Sequence, residues 1–134
     1  VTECGFMVRD FDGARIGYSP DGLVGDDGLI EVKAPRAKGH LSTILAGTVP
    51  AQHMAQIQCG LLVSGRQWCD FISFYGGMPL WPVRVTADPL WHAAIVNALH
   101  VLEARIADVV TDYDKAVDGL PMTDPLPDYD EVFI

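Results

Sequence analysis

Ser19-Pro20-Asp21-Gly22-Leu23-Val24-Gly25-Asp26-Asp27-Gly28-Leu29-Ile30-Glu31-Val32-Lys33-Ala34-Pro35 is the stretch on which the fold of this chain turns. Ser19 to Gly22 is a turn sequence: proline presets φ, aspartate bonds nearby backbone, and glycine accepts positive φ. Gly25 to Gly28 is a second turn. Residues 29–34 then read as a strand closed by Pro35. Side chains alternate along a strand, so Leu29, Glu31 and Lys33 share one face while Ile30, Val32 and Ala34 share the other. A Glu and a Lys two apart on so apolar a strand are costly to bury without compensation. Either the strand is an edge with a solvated charged face, or the charges belong to a built site.

Asp21 bears on that choice. Alone it is a turn residue. If the strands around it are neighbours, Asp21 and Glu31 converge beside the Lys33 amine. Two carboxylates and the backbone carbonyl of Val32 make a hard oxygen site that suits Mg²⁺. With Lys33 as a charge clamp, such a site suits metal-assisted phosphodiester hydrolysis.

Upstream, two short apolar runs, 3–9 and 14–18, flank Asp10-Phe11-Asp12-Gly13 and predict a hairpin. Downstream, residues 36–47 read as a short helix or a loop. Thr48-Val49-Pro50 is a helix start, with Thr48 as the cap. The helix is expected over 51–63, with Met54, Ile57, Leu61 and Leu62 at helical spacing and Gly65 past its end. Gln52, His53 and Gln56 form a polar stripe on it, facing either water or a site. Residues 68–75 and 80–86 read as paired strands, with Trp68, Phe71, Phe74 and Tyr75 as sheet core. Asp88-Pro89 starts a long amphipathic helix to about Val117. The order βββ-α-ββ-α predicts an α/β sandwich with a mixed sheet: a core over 1–118 and an irregular acidic tail over 119–134. His40 is placed in a loop without a partner. His92 and His100 read as surface or core histidines, and Cys59 as a small buried hydrophobe.

Asp21, Glu31 and Lys33, spaced Asp-x9-Glu-x-Lys after a proline, carry the PD-(D/E)XK nuclease signature. With Ser19-Pro20-Asp21-Gly22-Leu23, Gly28 to Pro35, and His53-Met54-Ala55-Gln56-Ile57-Gln58, the chain resembles the phage lambda exonuclease / YqaJ-type viral recombinase family. The resemblance runs from about Val1 to Thr86, and the long helix after it also fits. It implies a restriction-endonuclease-like core, a mixed sheet flanked by helices. It also implies a Mg²⁺-dependent exonuclease that digests one strand of duplex DNA, 5′ to 3′, with two ions and with Mn²⁺ able to substitute. The single strand produced would pass to an annealing protein for recombination, and the assembly would be a homotrimer ring. Asp21 and Glu31 match the family's metal-binding acids, Lys33 its catalytic lysine, and Gln56 the helical glutamine of its core. Arg36, Lys38, His53 and Ser19 are candidate DNA contacts, with His53 alternatively bonded to Gln56. The family's further acid and its upstream basic residue would precede Val1, and Glu3 does not take the acid's place. The chain, starting Val1-Thr2-Glu3 without Met, is expected to be a fragment lacking N-terminal helices.

The balance of 9 Lys+Arg against 18 Asp+Glu, net −9, argues at face value against DNA or an anionic membrane as partner. Its distribution changes that reading. Residues 1–107 hold ten acids and eight bases, whereas 108–134 hold eight acids and one base. The core is near neutral and the acidity belongs to the far end. A hydrophobic fraction of 49% is globular, and no apolar run reaches the ~20 residues of a membrane span. Three scattered cysteines suit reduced thiols in a cytosolic protein, and the resemblance implies a bacterial or phage-infected bacterial cell. Two other functions stay open: a RecB-like or CRISPR-associated nuclease domain of a larger protein, disfavoured by the lack of a cysteine cluster, and a non-catalytic DNA-binding or assembly module of the same fold. The tip from Asp128 to Ile134, acids followed by apolar residues, is expected to dock on a neighbouring subunit or partner.

Overall fold

A computed structural model describes residues 1–125. The tip from Asp128 to Ile134 lies outside the described residues. The chain opens as a hairpin of β1 (Met7–Phe11) and β2 (Ala14–Tyr18), paired antiparallel with Phe11 opposite Ala14. Its two-residue loop needs positive φ twice, and Asp12 (53°) and Gly13 (90°) supply it. The Gly13 amide donates to Asp10 Oδ1 at 2.9 Å and closes the turn. The first strand starts later than the sequence predicted. Thr2 is drawn off instead into an isolated bridge with Leu23.

A second sheet runs β3 (Gly22–Val24), β4 (Gly28–Lys33), β5 (Trp68–Ser73), β6 (Trp81–Thr86) in that spatial order. The β3–β4 and β5–β6 pairs are antiparallel and β4–β5 is parallel, so the sheet is mixed, as expected. β4 lies between β3 and β5 and Glu31 on it is buried, which excludes a solvated charged face. A parallel pair needs a crossover, and here it consists of α1 (Ala37–Ala46) and α2 (Ala51–Ser64).

On β4 and β5 the faces are sharply unequal. Leu29, Glu31, Cys69, Phe71 and Ser73 are buried, while Val32 is 41% exposed. α2 lies on the buried side and also touches the hairpin. Ile57 and Leu61 of α2 join Tyr18, Leu29, Cys69 and Phe71 in one apolar cluster. Gly60 is a requirement of that packing: a Cβ there would lie 2.5 Å from Cζ of Tyr18. α2 ends at Gly65, whose φ of 72° lets its amide return to the Leu61 carbonyl. Its start departs from expectation. Pro50 is the N-cap, with no side-chain cap bond, so Thr48 does not cap; proline's fixed φ sets the entry instead.

Four further expectations are corrected. His40 is on α1 and not in a loop, and it is fully buried. Its Nε2 donates to the Pro79 carbonyl at 2.9 Å, which leaves Nδ1 to accept from the Ser73 hydroxyl at 2.7 Å. Phe74 and Tyr75 are exposed rather than core, because β5 ends at Ser73. Trp68 lies on the opposite face to Phe71, under the Arg84 guanidinium (3.5 Å to the ring centroid), and Arg84 in turn holds Asp70 through both carboxylate oxygens. Cys59 is half-buried, with burial pushing its thiol up.

α3 (Pro89–Val117) starts where Asp88 Oδ1 accepts from the Leu90 amide. Gln58 of α2 ties in this junction: it donates to the Thr86 carbonyl and accepts from the Asp88 amide. His92 is half-buried and His100 exposed. Residues Val1–Glu103 form one compact unit, and α3 ends at Val117. Among the described residues no helix is long and apolar enough to cross a membrane.

His40 is the polar bolt between α1, β5 and the loop before β6. His40→Ala would leave the buried Ser73 hydroxyl without its partner, release the Pro79 carbonyl and leave a cavity. Urea unfolding should show a loss of roughly 2–5 kcal/mol.

Candidate active site

The site forms where β3 separates from β4. Their ladder runs from Val24 opposite Gly28 to Gly22 opposite Ile30. Two residues further, Pro20 turns the chain away. Within a strand, the N–H and C=O of one residue point to the same side, and successive residues alternate. Lys33 points its carbonyl at β5, accepting from the Phe74 amide at 2.9 Å. Val32 therefore points its N–H and C=O the other way, toward the vacated position. Asp21 fills it, with Oδ2 accepting from the Val32 amide at 2.6 Å. The Val32 carbonyl opens on the same edge.

Glu31 is 1% exposed. Its Oε2 accepts from the Tyr18 hydroxyl at 2.8 Å, and its Oε1 from Lys33 Nζ at 2.5 Å. Tyr18 and Cys69 both sense Asp21 as well as Glu31. Burial first, then Glu31, pushes the Tyr18 hydroxyl above its ordinary range. The same order of causes takes the Cys69 thiol up to about 12. Both are held neutral beside the two carboxylates.

His53 stands on α2 above Phe71, with ring centroids 5.6 Å apart and planes inclined 29°. Its neighbour is Gln52, whose Nε2 lies 3.3 Å from His53 Nε2, and not Gln56. Burial, then the Lys33 charge, lowers the His53 pKa against a smaller opposing pull from Glu31. The ring is thus biased neutral at pH 7. Lys33, His53, Gln52, Ser73 and Phe71 line one pocket of about 220 Å³, floored by the β4–β5 pair.

Asp21, Glu31, Lys33 and the Val32 carbonyl are thus brought together, with His53 beside them. Gln56 is exposed on α2, one turn before Gly60; the hydrogen bonds of the cluster do not include it. Ser19 is exposed next to buried Tyr18 and Pro20. Arg36 and Lys38 are exposed where β4 passes into α1. The sequence reading missed Tyr18. The available signal was a phenol at the inward end of β2, two residues before Pro20.

Two carboxylates and one carbonyl suit a hard cation that keeps most of its ligands as water. Among the described residues no third Asp, Glu, His or Cys joins them. Asp21 keeps Oδ1 free, and each Glu31 oxygen retains a lone pair, so this donor set fits Mg²⁺ or Mn²⁺ and does not fit a closed structural site.

A family model described as the YqaJ-like viral recombinase domain matches residues 1–67. Among solved structures, an alkaline exonuclease (LHK-Exo) from Laribacter hongkongensis is 32% identical, with a TM-score of 0.80 over 90% of this chain and 63% of that one. Its complex with dAMP matches at the same identity and coverage with a TM-score of 0.82. The crystal structure of SSO0001, 16% identical at a TM-score of 0.54, covers 76% of this chain and 50% of that one and shows a likeness of fold alone. No curated protein matches the sequence. The chain spans less than two thirds of the length of the alkaline exonuclease.

His53 holds its proton less tightly folded than unfolded, so the unfolded state binds more protons in the window just below its ordinary pKa of 6.5. Folding stability should fall as pH drops through that window. In His53→Gln the urea midpoint should fall less than in wild type over the same range.

Proposed function

The chain belongs to the YqaJ-like viral recombinase domain family, and from that premise we propose that it is the core of a divalent-cation-dependent DNA exonuclease. The observation that carries the reading is the fork between β3 and β4. There one exposed and one buried carboxylate meet a free backbone carbonyl, with an ammonium alongside. LHK-Exo, 32% identical, is named an alkaline exonuclease. Both support a nuclease over a non-catalytic module, for which a carboxylate buried at 1% and gripped by two donors has no use.

Asp21, Glu31 and the Val32 carbonyl would hold Mg²⁺, or Mn²⁺ in its place, with two ions proposed for the working site. When bound, the cation supplies Lewis acidity at the scissile phosphate. The remaining chemistry belongs to the chain. Lys33, with one N–H donated to Glu31, turns its remaining donors to the mouth of the pocket and neutralises charge building on the phosphate oxygens. His53, neutral and stacked on Phe71, offers a ring N–H to the same phosphate. Arg36 and Lys38 hold the backbone of duplex DNA beyond it, in register but without sequence preference. Gln56, exposed on α2, is proposed to reach the site once DNA is present, and Ser19 to touch the backbone near Asp21. Polarity from 5′ to 3′, transfer of the single strand to an annealing protein, and a homotrimer complete the proposal by resemblance.

Asp21→Asn keeps an acceptor for the Val32 amide but removes a charge. Lys33→Met keeps the stem and removes the ammonium. Each should cut digestion of linear duplex DNA by on the order of 10²-fold or more, with circular dichroism unchanged. Full activity in both folded variants would sink the assignment.

A further inference from the structure

We infer that Tyr18 is a positioning residue for the proposed metal-binding carboxylate, the permanent anchor of Glu31, and that Lys33 is its exchangeable partner. This rests on the reading of Asp21 and Glu31 as metal ligands. The two partners of Glu31 differ in kind. Tyr18 is 5% exposed, its ring wedged over Gly60 and packed in the cluster with Leu29, Ile57 and Leu61. Two χ angles locked by packing leave its hydroxyl one place to point, 2.8 Å from Oε2. Lys33 reaches Oε1 on a flexible stem from a side chain 28% exposed, at the edge of an open pocket.

Charge separates them further. A cation arriving at Glu31 repels the Lys33 ammonium and competes with it for the carboxylate. It has no such quarrel with a neutral phenol. Tyr18 thus keeps the carboxylate aimed while Lys33 is released toward a phosphate. Hydrogen-bonded supports of this type orient metal ligands, and their loss typically costs about 10- to 100-fold in metal affinity.

Tyr18→Phe removes the hydroxyl and leaves the ring in place. Mn²⁺ binding to the purified full chain, followed by electron paramagnetic resonance without DNA, should weaken by about 10- to 100-fold. Digestion should then recover at high Mn²⁺, because Lys33 is untouched. Gly60→Ala should displace the ring and weaken Mn²⁺ binding with every polar group present. Wild-type Mn²⁺ affinity in both variants, whatever their urea midpoints, overturns the inference and leaves the nuclease reading intact. Wild-type protein whose Mn²⁺ binding is absent, or indifferent to Asp21→Asn, removes the metal site itself, and the inference with it.

Discussion

A carboxylate nearly sealed inside a sheet is a severe demand on its surroundings, and Glu31 is 1% exposed. Ionised and alone there it would cost several kcal/mol, and breaking a buried pair by removing one partner costs about 3–5 kcal/mol. The surrounding architecture meets this demand from two directions. β2 ends with Tyr18 turned inward, and β4 carries Lys33 two residues on, on the same face. α2 has a glycine at position 60 so that the tyrosine ring can pass under it. Hairpin, sheet and helix therefore converge on one side chain, and their relative placement follows from keeping it satisfied. Such an arrangement adds little to stability compared with an apolar residue; its value lies in holding a charge at a fixed point.

The second constraint is parity. Along β4 the even residues face β3 and the odd ones face β5. Because β3 is only three residues long and stops at Gly22, the even position 32 loses its strand partner. A missing ladder partner ordinarily leaves backbone groups to water. Here Pro20 diverts the chain, and Asp21 supplies a carboxylate to the Val32 amide where a backbone carbonyl would otherwise be. The Val32 carbonyl stays available beside it. The site is in this sense a ladder interrupted one residue early, with its remaining valences turned outward.

This explains what the sequence disclosed and what it withheld. Asp21, Glu31 and Lys33 were legible because their relation is local: an alternating strand and one antiparallel turn bring them together without help from elsewhere. The Asp12-Gly13 hairpin, the Gly65 terminus and the β5–β6 pair were legible for the same reason. Tyr18 was hidden because its meaning depends on Gly60, forty-two positions away. His40 was hidden because it is satisfied by Ser73 and Pro79, far downstream. Phe74 and Tyr75 misled because aromatic residues read as strand core whether or not the strand reaches them. Thr48 misled because a good capping residue is no evidence of where the helix starts when a proline follows it.

The acidity of the chain yields to the same local view. Net charge governs long-range encounter, but a Debye length of about 8 Å at physiological salt confines each exposed charge to its neighbourhood. Ten acids and eight bases share residues 1–107, and several of those acids are already committed. Asp70 is held by Arg84, Glu31 by Lys33 and Tyr18, and Asp21 by a backbone amide. Arg36 and Lys38, by contrast, are exposed at the end of β4. A cation bound between Asp21 and Glu31 would reverse the local sign further. With such a cation in place, a polyanion would meet it together with Lys33, Arg36 and Lys38 at this end of the sheet, whatever the sum over 134 residues.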